Sequence, residues 1–315
     1  MSRARIVLRL LEQAPLLLFL AAVVGFGAVT PRFLTGANLL NICVQSAPTG
    51  IVEIGMTLVL STAGVDLSVG AVMFVTAAVA GKLALAGAPL IVVMGVMLLI
   101  GAGIRAFNGM LITRLPMTPF IVTLATLFIG RGFSLWLTQT RAMNLPASYL
   151  SLGSGRVFGV PLPMLVLLGA AFVFHALVTR TPCGRQLHAT GENAESARLV
   201  GIATSRIVLL AYATSGLMAG LGSVLLFGQL GAVTPKFGEN YEFKAIAAAV
   251  LGGTSLFGGR GAVLPGTLLG ALLIQSVENA LVLRNADPYL YPLIASAESF
   301  PPCCWTAFAS ECSRG

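Results

Sequence analysis

The chain has 315 residues, of which 57% are hydrophobic and only 10% charged, and its mean hydropathy is +0.92. No soluble domain of this size has interior enough to hide so much apolar surface, so the solvent for most of it is lipid. The net charge of +8 does not indicate a nucleic-acid partner, because Arg and Lys stand singly at the ends of apolar runs, where they set membrane orientation.

The start is basic, with Arg3, Arg5 and Arg9, and an apolar run over 14–29 follows. Gly25 and Gly27 make a poor small-x-small cleavage site, so this run reads as an uncleaved first span with a cytoplasmic N-terminus. A span needs about 20 apolar residues. Further spans are expected near 39–60, 68–86, 90–112, 118–138 and 162–179. Between the last two, 139–161 reads as the longest external loop. Six crossings return the chain to the side of its start at Arg180.

There a polar island begins. Residues 179–206 hold four arginines (Arg180, Arg185, Arg198, Arg206), Glu192, Glu195 and His188 in an otherwise apolar chain. Its arginines place it on the cytoplasmic side, and exposure makes it a docking segment for a partner or, more plainly, a solvated loop. Thr190 or Asn193 can cap a short helix there, with Glu192 and Glu195 in its first turn and Arg198 in its last. Spans near 207–229, 243–257 and 262–283 follow. The middle one is short and dense in Ala and Gly, which suits a broken or re-entrant segment. The expected fold is all-α, a polytopic transmembrane bundle of about nine to ten spans, and no internal repeat is apparent.

Two motifs stand out. Gly64-Val65-Asp66-Leu67-Ser68-Val69-Gly70 places an acid beside lipid, where it must face protein, water or a helix start. Asp66 or Ser68 serves as an N-cap of the next span, or the motif serves the pathway or its gate. Glu53 is either a buried carboxyl hydrogen-bonded to a neighbouring helix or a functional group. The second motif, 245–261, carries the pairs Gly252-Gly253 and Gly258-Gly259, which permit sharp reversals and close backbone approach. It lacks the Lys-Ser/Thr of a phosphate loop. Asn41, Gln45, Glu53, Asn108, Thr123 and Thr126 are polar positions on apolar runs and candidates for a solute path.

Catalytic patterns are absent: there is no H-E-x-x-H and no G-x-S-x-G. His175, in an apolar run, reads as a core histidine. Five cysteines show no C-x-x-C spacing and no metal-ligand pattern with the two histidines. Cys43 and Cys183 read as ordinary small residues.

G-V-D-L-S-V-G, G-E-N-A-E-S-A-R-L-V-G-I and G-E-N-Y-E-F-K-A-I-A-A-A-V-L-G-G-T-S-L-F-G-G-R-G-A-V, in this order, resemble the permease subunits of bacterial ABC importers for simple sugars. The resemblance covers about residues 5–297. It implies an inner-membrane protein of about ten spans, paired with a second permease copy. Its further partners would be a cytoplasmic ATPase subunit and a periplasmic sugar-binding protein, and it would carry no cofactor of its own. It places Gly191, Glu192, Asn193, Ala197, Arg198 and Gly201 in a coupling element. Asp66, Ser68, Gly70, Gly252, Gly253, Gly258 and Gly259 would be motif positions. Another solute, such as a nucleoside, a branched-chain amino acid or a signalling sugar, would suit the same architecture. An ion-coupled secondary transporter would want more intramembrane acids and bases. The chain divides into a permease domain at 1–297 and an aberrant tail at 298–315. That tail carries Pro301-Pro302, Cys303, Cys304 and Cys312 where the family continues with an apolar span. It reads as the product of a frame change.

Overall fold

A computed structural model describes residues 13–115 and 117–285. The basic start and the 298–315 tail lie outside the described residues. The described chain is almost wholly helical: α1 Ala14–Val29, α2 Gly36–Ser61, α3 Val69–Leu85, α4 Leu90–Arg114, α5 Pro119–Thr138, α6 Leu162–Arg180, α7 Pro182–Glu192, α8 Ala194–Leu199, α9 Thr204–Leu230, α10 Tyr241–Leu251 and α11 Leu268–Leu283. Proline opens α1, α5, α6 and α7, where its missing N–H has no helical partner to lose.

Six helices among the described residues are long and apolar enough to cross a membrane: α2, α4, α5, α6, α9 and Val263–Leu283, which joins α11 to the turn before it. α1 and α3 are apolar but shorter. The short segment expected near 243–257 as a broken or re-entrant span is α10, only 11 residues long. At 1.5 Å per residue it covers about half of a hydrocarbon core some 30 Å thick.

α9 is the centre of the bundle and runs antiparallel to both α2 and α4. Lipid gives apolar surfaces little reason to associate, so close packing of small residues must do that work. On the α4 side Gly216 lies against Gly101 and Arg105. A Cβ on Gly220 would come 2.7 Å from the Met97 carbonyl oxygen. On the α2 side a Cβ on Gly55 would come 2.7 Å from the Ser215 hydroxyl, and one on Gly222 2.9 Å from the Pro48 carbonyl. Both seams are therefore closed to larger side chains.

The sequence shows no repeat, but the structure does. A long helix, an irregular stretch, a helix that starts inside the bundle and another long helix occur twice: α2–α3–α4 and α9–α10–α11. The two run in opposite senses. α2 ends at Ser61 against the polar island, whereas α9 starts from the island. The α4–α9 seam is thus matched by an α2–α11 seam, and the latter is polar. Asn38 and Asn279 exchange two hydrogen bonds of 2.8 and 3.0 Å, Gln275 donates to Gln45 at 3.1 Å, and Thr57 and Thr267 share a bond of 3.3 Å. The starts of α3 and α10 meet. A Cβ on Gly70 would collide with the Gly238 carbonyl and the Glu242 carboxylate.

The 139–161 segment is not an open loop. Met143–Asn144 (β1) pairs antiparallel with Ala232–Val233 (β4), and Arg156–Val157 (β2) pairs with Val160–Pro161 (β3). The buried Tyr149 hydroxyl donates to the Ala88 carbonyl at 2.5 Å.

The seams make a test. Gly216→Leu should overpack the α4–α9 crossing, which costs about 1–3 kcal/mol or more. Gly103→Leu on the open face of α4, where a Cβ meets nothing within 4 Å, should change little. Thermal unfolding in detergent measures both; equal melting temperatures would remove the seam as the organising contact.

Candidate functional site

The Asp66 motif lies inside the bundle. Asp66, Ser68, Arg105, Asn108 and Thr123 are all fully buried. Asp66 forms an ion pair with Arg105 of α4, and its other oxygen accepts from the backbone N–H of Ser68 at 2.8 Å and the Ser68 hydroxyl at 2.6 Å. Arg105 also donates to the Ser215 carbonyl of α9 at 3.1 Å. Asn108 donates to Ser68 at 3.3 Å and accepts from Thr126 of α5 at 2.7 Å. One network thus ties α5, α4 and α9 to the start of α3. The expected capping is corrected in detail: Ser68 occupies the N-cap position of α3, but no side chain bonds the first turn from there. Asp66 instead shapes the approach and neutralises Arg105. Gly70 serves the close approach to Gly238 described above.

The candidate path residues divide. Asn108 and Thr123 are enclosed, Thr123 bonding the Pro119 carbonyl of its own helix at 2.9 Å, and Thr126 is half-buried. Asn41 and Gln45 are exposed on α2 and bonded to each other at 3.0 Å. Asn41, Gln45, Thr49, Glu53, Thr57 and Ser61 recur every fourth residue and form one polar stripe down α2. Glu53 lies on it, fully buried against Gly270. The expected hydrogen bond to a neighbouring helix is absent: among the described residues neither of its oxygens has a partner.

The polar island folds as α7 and α8, packed onto the end of α2. Asn193 caps α8, accepting from the Ser196 N–H at 2.8 Å. Thr190 bonds the Gln186 carbonyl instead. Leu187 belongs to the apolar cluster of Ile54, Val178 and Ile207. Burial pushes the His188 imidazole below its ordinary range and so favours its neutral form. The island is therefore not a plain exposed loop. Of its expected coupling residues, Gly191 and Ala197 are buried, while Glu192, Asn193, Arg198 and Gly201 are exposed. Arg198 donates its Nε–H to the Thr204 hydroxyl at 2.8 Å, stapling α8 to the start of α9. Gly201, at φ +85°, makes the turn between them.

Gly191 is where the island touches the second glycine motif. A Cβ there would collide with the Ser61 carbonyl, and the Gly259 N–H donates to that same carbonyl at 3.2 Å. A Cβ on Gly258 would come 2.5 Å from the Gly191 carbonyl, and Gly258 and Gly259 sit at φ +87° and +74°. Three chain segments meet here backbone to backbone, with no side chain between. Gly252 makes a second such contact with Gly266, at the start of the last long helix; a Cβ on Gly253, at φ +92°, would meet the Pro15 ring at 3.7 Å and so has room.

Two features escaped the sequence reading. Arg105 is a lone cation in a span and is the partner Asp66 requires. Leu199 and Val200 are 84% and 76% exposed; two adjacent apolar residues in a polar segment were the available cue. With Phe257, 69% exposed in the glycine loop, they leave apolar surface bare on the island side.

The chain matches, over residues 38–296, the family described as branched-chain amino acid transport system / permease component. It is 35% identical to the ribose import permease protein of Haemophilus influenzae, covering 91% of this chain and 90% of that one. It is 36% identical to the ribose import permease protein of Bacillus subtilis, covering 90% and 88%. It is also 36% identical to the D-allose transport system permease protein of Escherichia coli K12, covering 87% and 85%. No solved structure matches. The chain therefore belongs to this family of multi-pass membrane permease components.

The glycine junction predicts a graded response. Gly258→Leu should lower the melting temperature and open Arg185 and Arg198 to protease, because both positive φ and contact space are lost; residues at positive φ cost about 1–3 kcal/mol each. Gly253→Leu should do less, since only the φ is violated. Wild-type melting and protease resistance in both variants would reduce these glycines to composition.

Proposed function

We propose that this chain is the membrane-spanning permease subunit of an ATP-driven importer, and that its cargo is a monosaccharide handed over by a soluble binding protein. The relatives named for ribose and D-allose import support the cargo class. The family description names branched-chain amino acids, but the relatives matched along almost their whole length are named for sugars, and a nucleoside has no such support. The energy comes from ATP on a separate cytoplasmic subunit, so the chain is not itself an enzyme. The island and the N-terminus face the cytoplasm, as their arginines require. α1 and α3 cross with the six long helices and α10 completes the opposing repeat, which brings the bundle toward nine to ten spans. A second permease copy completes the transporter, and Asn41 and Gln45 are the best-placed polar groups for a path between helices.

The observation that carries this reading is the island itself. It is a rigid folded element, anchored through Gly191 to α2 and the glycine loop, and it presents bare Leu199 and Val200 to the solvent. A partner that pushes on α8 would push through α7 onto the Gly191 junction, where backbone meets backbone. The junction at Ser61, Gly191 and Gly259 would pass that displacement to α2 and, through the glycine loop, to α10. The start of α10 abuts the start of α3, so both inner helices would respond together.

Leu199→Glu should therefore leave the fold intact and weaken association with the ATPase subunit by about tenfold or more, as loss of an interface anchor does. Gly191→Trp should abolish uptake through the junction. Arg198→Glu should combine both effects, since Arg198 holds α8 to α9. Co-purification with the ATPase subunit and uptake of labelled ribose and allose measure these outcomes. Normal association and uptake in Leu199→Glu would show that the partner docks elsewhere.

A further inference from the structure

The hairpin between the single helical turn Ser151–Ser154 and α6 carries an anomaly. Its strands Arg156–Val157 and Val160–Pro161 are joined by two residues, Phe158 and Gly159. Both have positive φ, +51° and +82°. Such a two-residue turn calls for Asn-Gly, Asp-Gly or Gly-Gly, because positive φ suits few residues. A bulky aromatic there is a genuine outlier. The strain is not offset by packing: Phe158 is 102% exposed, and its neighbours Val157 and Val160 are 42% and 36% exposed. Nothing within the fold accounts for an aromatic at this position.

The position of the hairpin limits what it can touch. It closes directly onto Leu162, the first residue of α6, and the Leu162 N–H donates to the Gly155 carbonyl at 2.8 Å. α6 has 19 residues, about 28 Å of helix, close to the roughly 30 Å thickness of the hydrocarbon core. Two extended residues and a turn rise at most about 7–10 Å from that end. The headgroup layer on each face is about 5–8 Å deep. Fully upright, the tip would reach the outer edge of that layer, and any tilt lowers it among the headgroups, on the face opposite the island. Its chemistry fits that layer: an aromatic and two valines beside the exposed cation Arg156, with no acid anywhere in 139–161. Trp and Tyr concentrate at this depth, Phe buries there from interfacial amphipathic elements, and Arg reaches lipid phosphate from it. Leu165, Leu168 and Phe172 of α6, the helix that the hairpin leads into, are exposed as well.

We infer that the Arg156–Pro161 hairpin is a lipid anchor: Phe158 inserts among the headgroups and upper acyl chains, and Arg156 pairs with a lipid phosphate. It would pin the opposite-side end of α6 while the other end, at Arg180, leads into the island.

The test places the only tryptophan at the tip. Trp136 and Trp305 are replaced by Phe, Phe158 by Trp, and the full chain is reconstituted in phosphatidylethanolamine–phosphatidylglycerol vesicles. Lipids brominated near the head of the acyl chain should remove most of the emission, those brominated near the tail much less, and aqueous iodide little. Phe158→Asn, which suits the turn, should leave the melting temperature in detergent unchanged or raised. Emission quenched by iodide and untouched by bromolipid would overturn the inference. So would a blue shift that appears only when a soluble sugar-binding protein is added, since the tip would then be a protein contact. A fall in melting temperature for Phe158→Asn would overturn it too, because Phe158 would be serving the fold.

Discussion

The buried pair of Asp66 and Arg105 is the constraint on which the rest of the bundle depends. α3 does not start at the membrane surface. It starts beside Arg105, nine residues in from Arg114 at the end of α4, which is about 14 Å of helix. An irregular stretch at that depth leaves backbone groups without water, and lipid tolerates it only when protein surrounds it. Asp66 orders the stretch by accepting from Ser68, and Arg105 neutralises Asp66 while bonding the Ser215 carbonyl. Each charge needs the other. Removing one partner of such a pair typically costs about 3–5 kcal/mol, because the remaining charge stays buried and unpaired.

The opposing repeat follows from the same arrangement. α10 also begins inside, and Gly70 and Gly238 let the two starts touch. Arg131 of α5 serves that second start, donating to the Phe237 carbonyl at 3.0 Å and lying 5.5 Å over the Phe74 ring. The contacts that join the inner helix starts, the island and the glycine loop are backbone contacts at glycine: Gly70 with Gly238, Gly191 with Ser61, Gly252 with Gly266. Glycine is needed at each because any Cβ would collide, so these junctions have little slack. That mechanical continuity links the island to the interior.

The sequence revealed the parts that lipid imposes. Apolar runs must be long, so the helices from 14 to 180 and the long helices after the island could be placed closely, and a polar island had to lie outside them. Asn193 was legible as a cap because capping is local. What could not be read depends on contacts far apart in the chain. Arg105 lies 39 residues from Asp66, and nothing local marks it as a partner. Glu53 reads as either a hydrogen-bonded carboxyl or a functional group, and it faces Gly270 with no hydrogen-bond partner among the described residues. The island was legible as a docking segment with a short capped helix, but its anchoring was not, because Gly191 carries no side chain to announce a contact; its burial arises from the Ser61 carbonyl above it. The repeat was invisible because opposed segments conserve shape, not residue identity: the α4–α9 seam is glycine, whereas its counterpart between α2 and α11 is carboxamide and hydroxyl.

The most direct test is a double-mutant cycle on the central pair, with Asp66→Asn, Arg105→Gln and the combined variant unfolded thermally in detergent. Each single change should lower stability strongly. The double variant should lose less than the sum, with a coupling energy of about 2 kcal/mol or more, within the range for residues in one network. Additive losses would show that Asp66 and Arg105 act independently, and the start of α3 would then be held by something else.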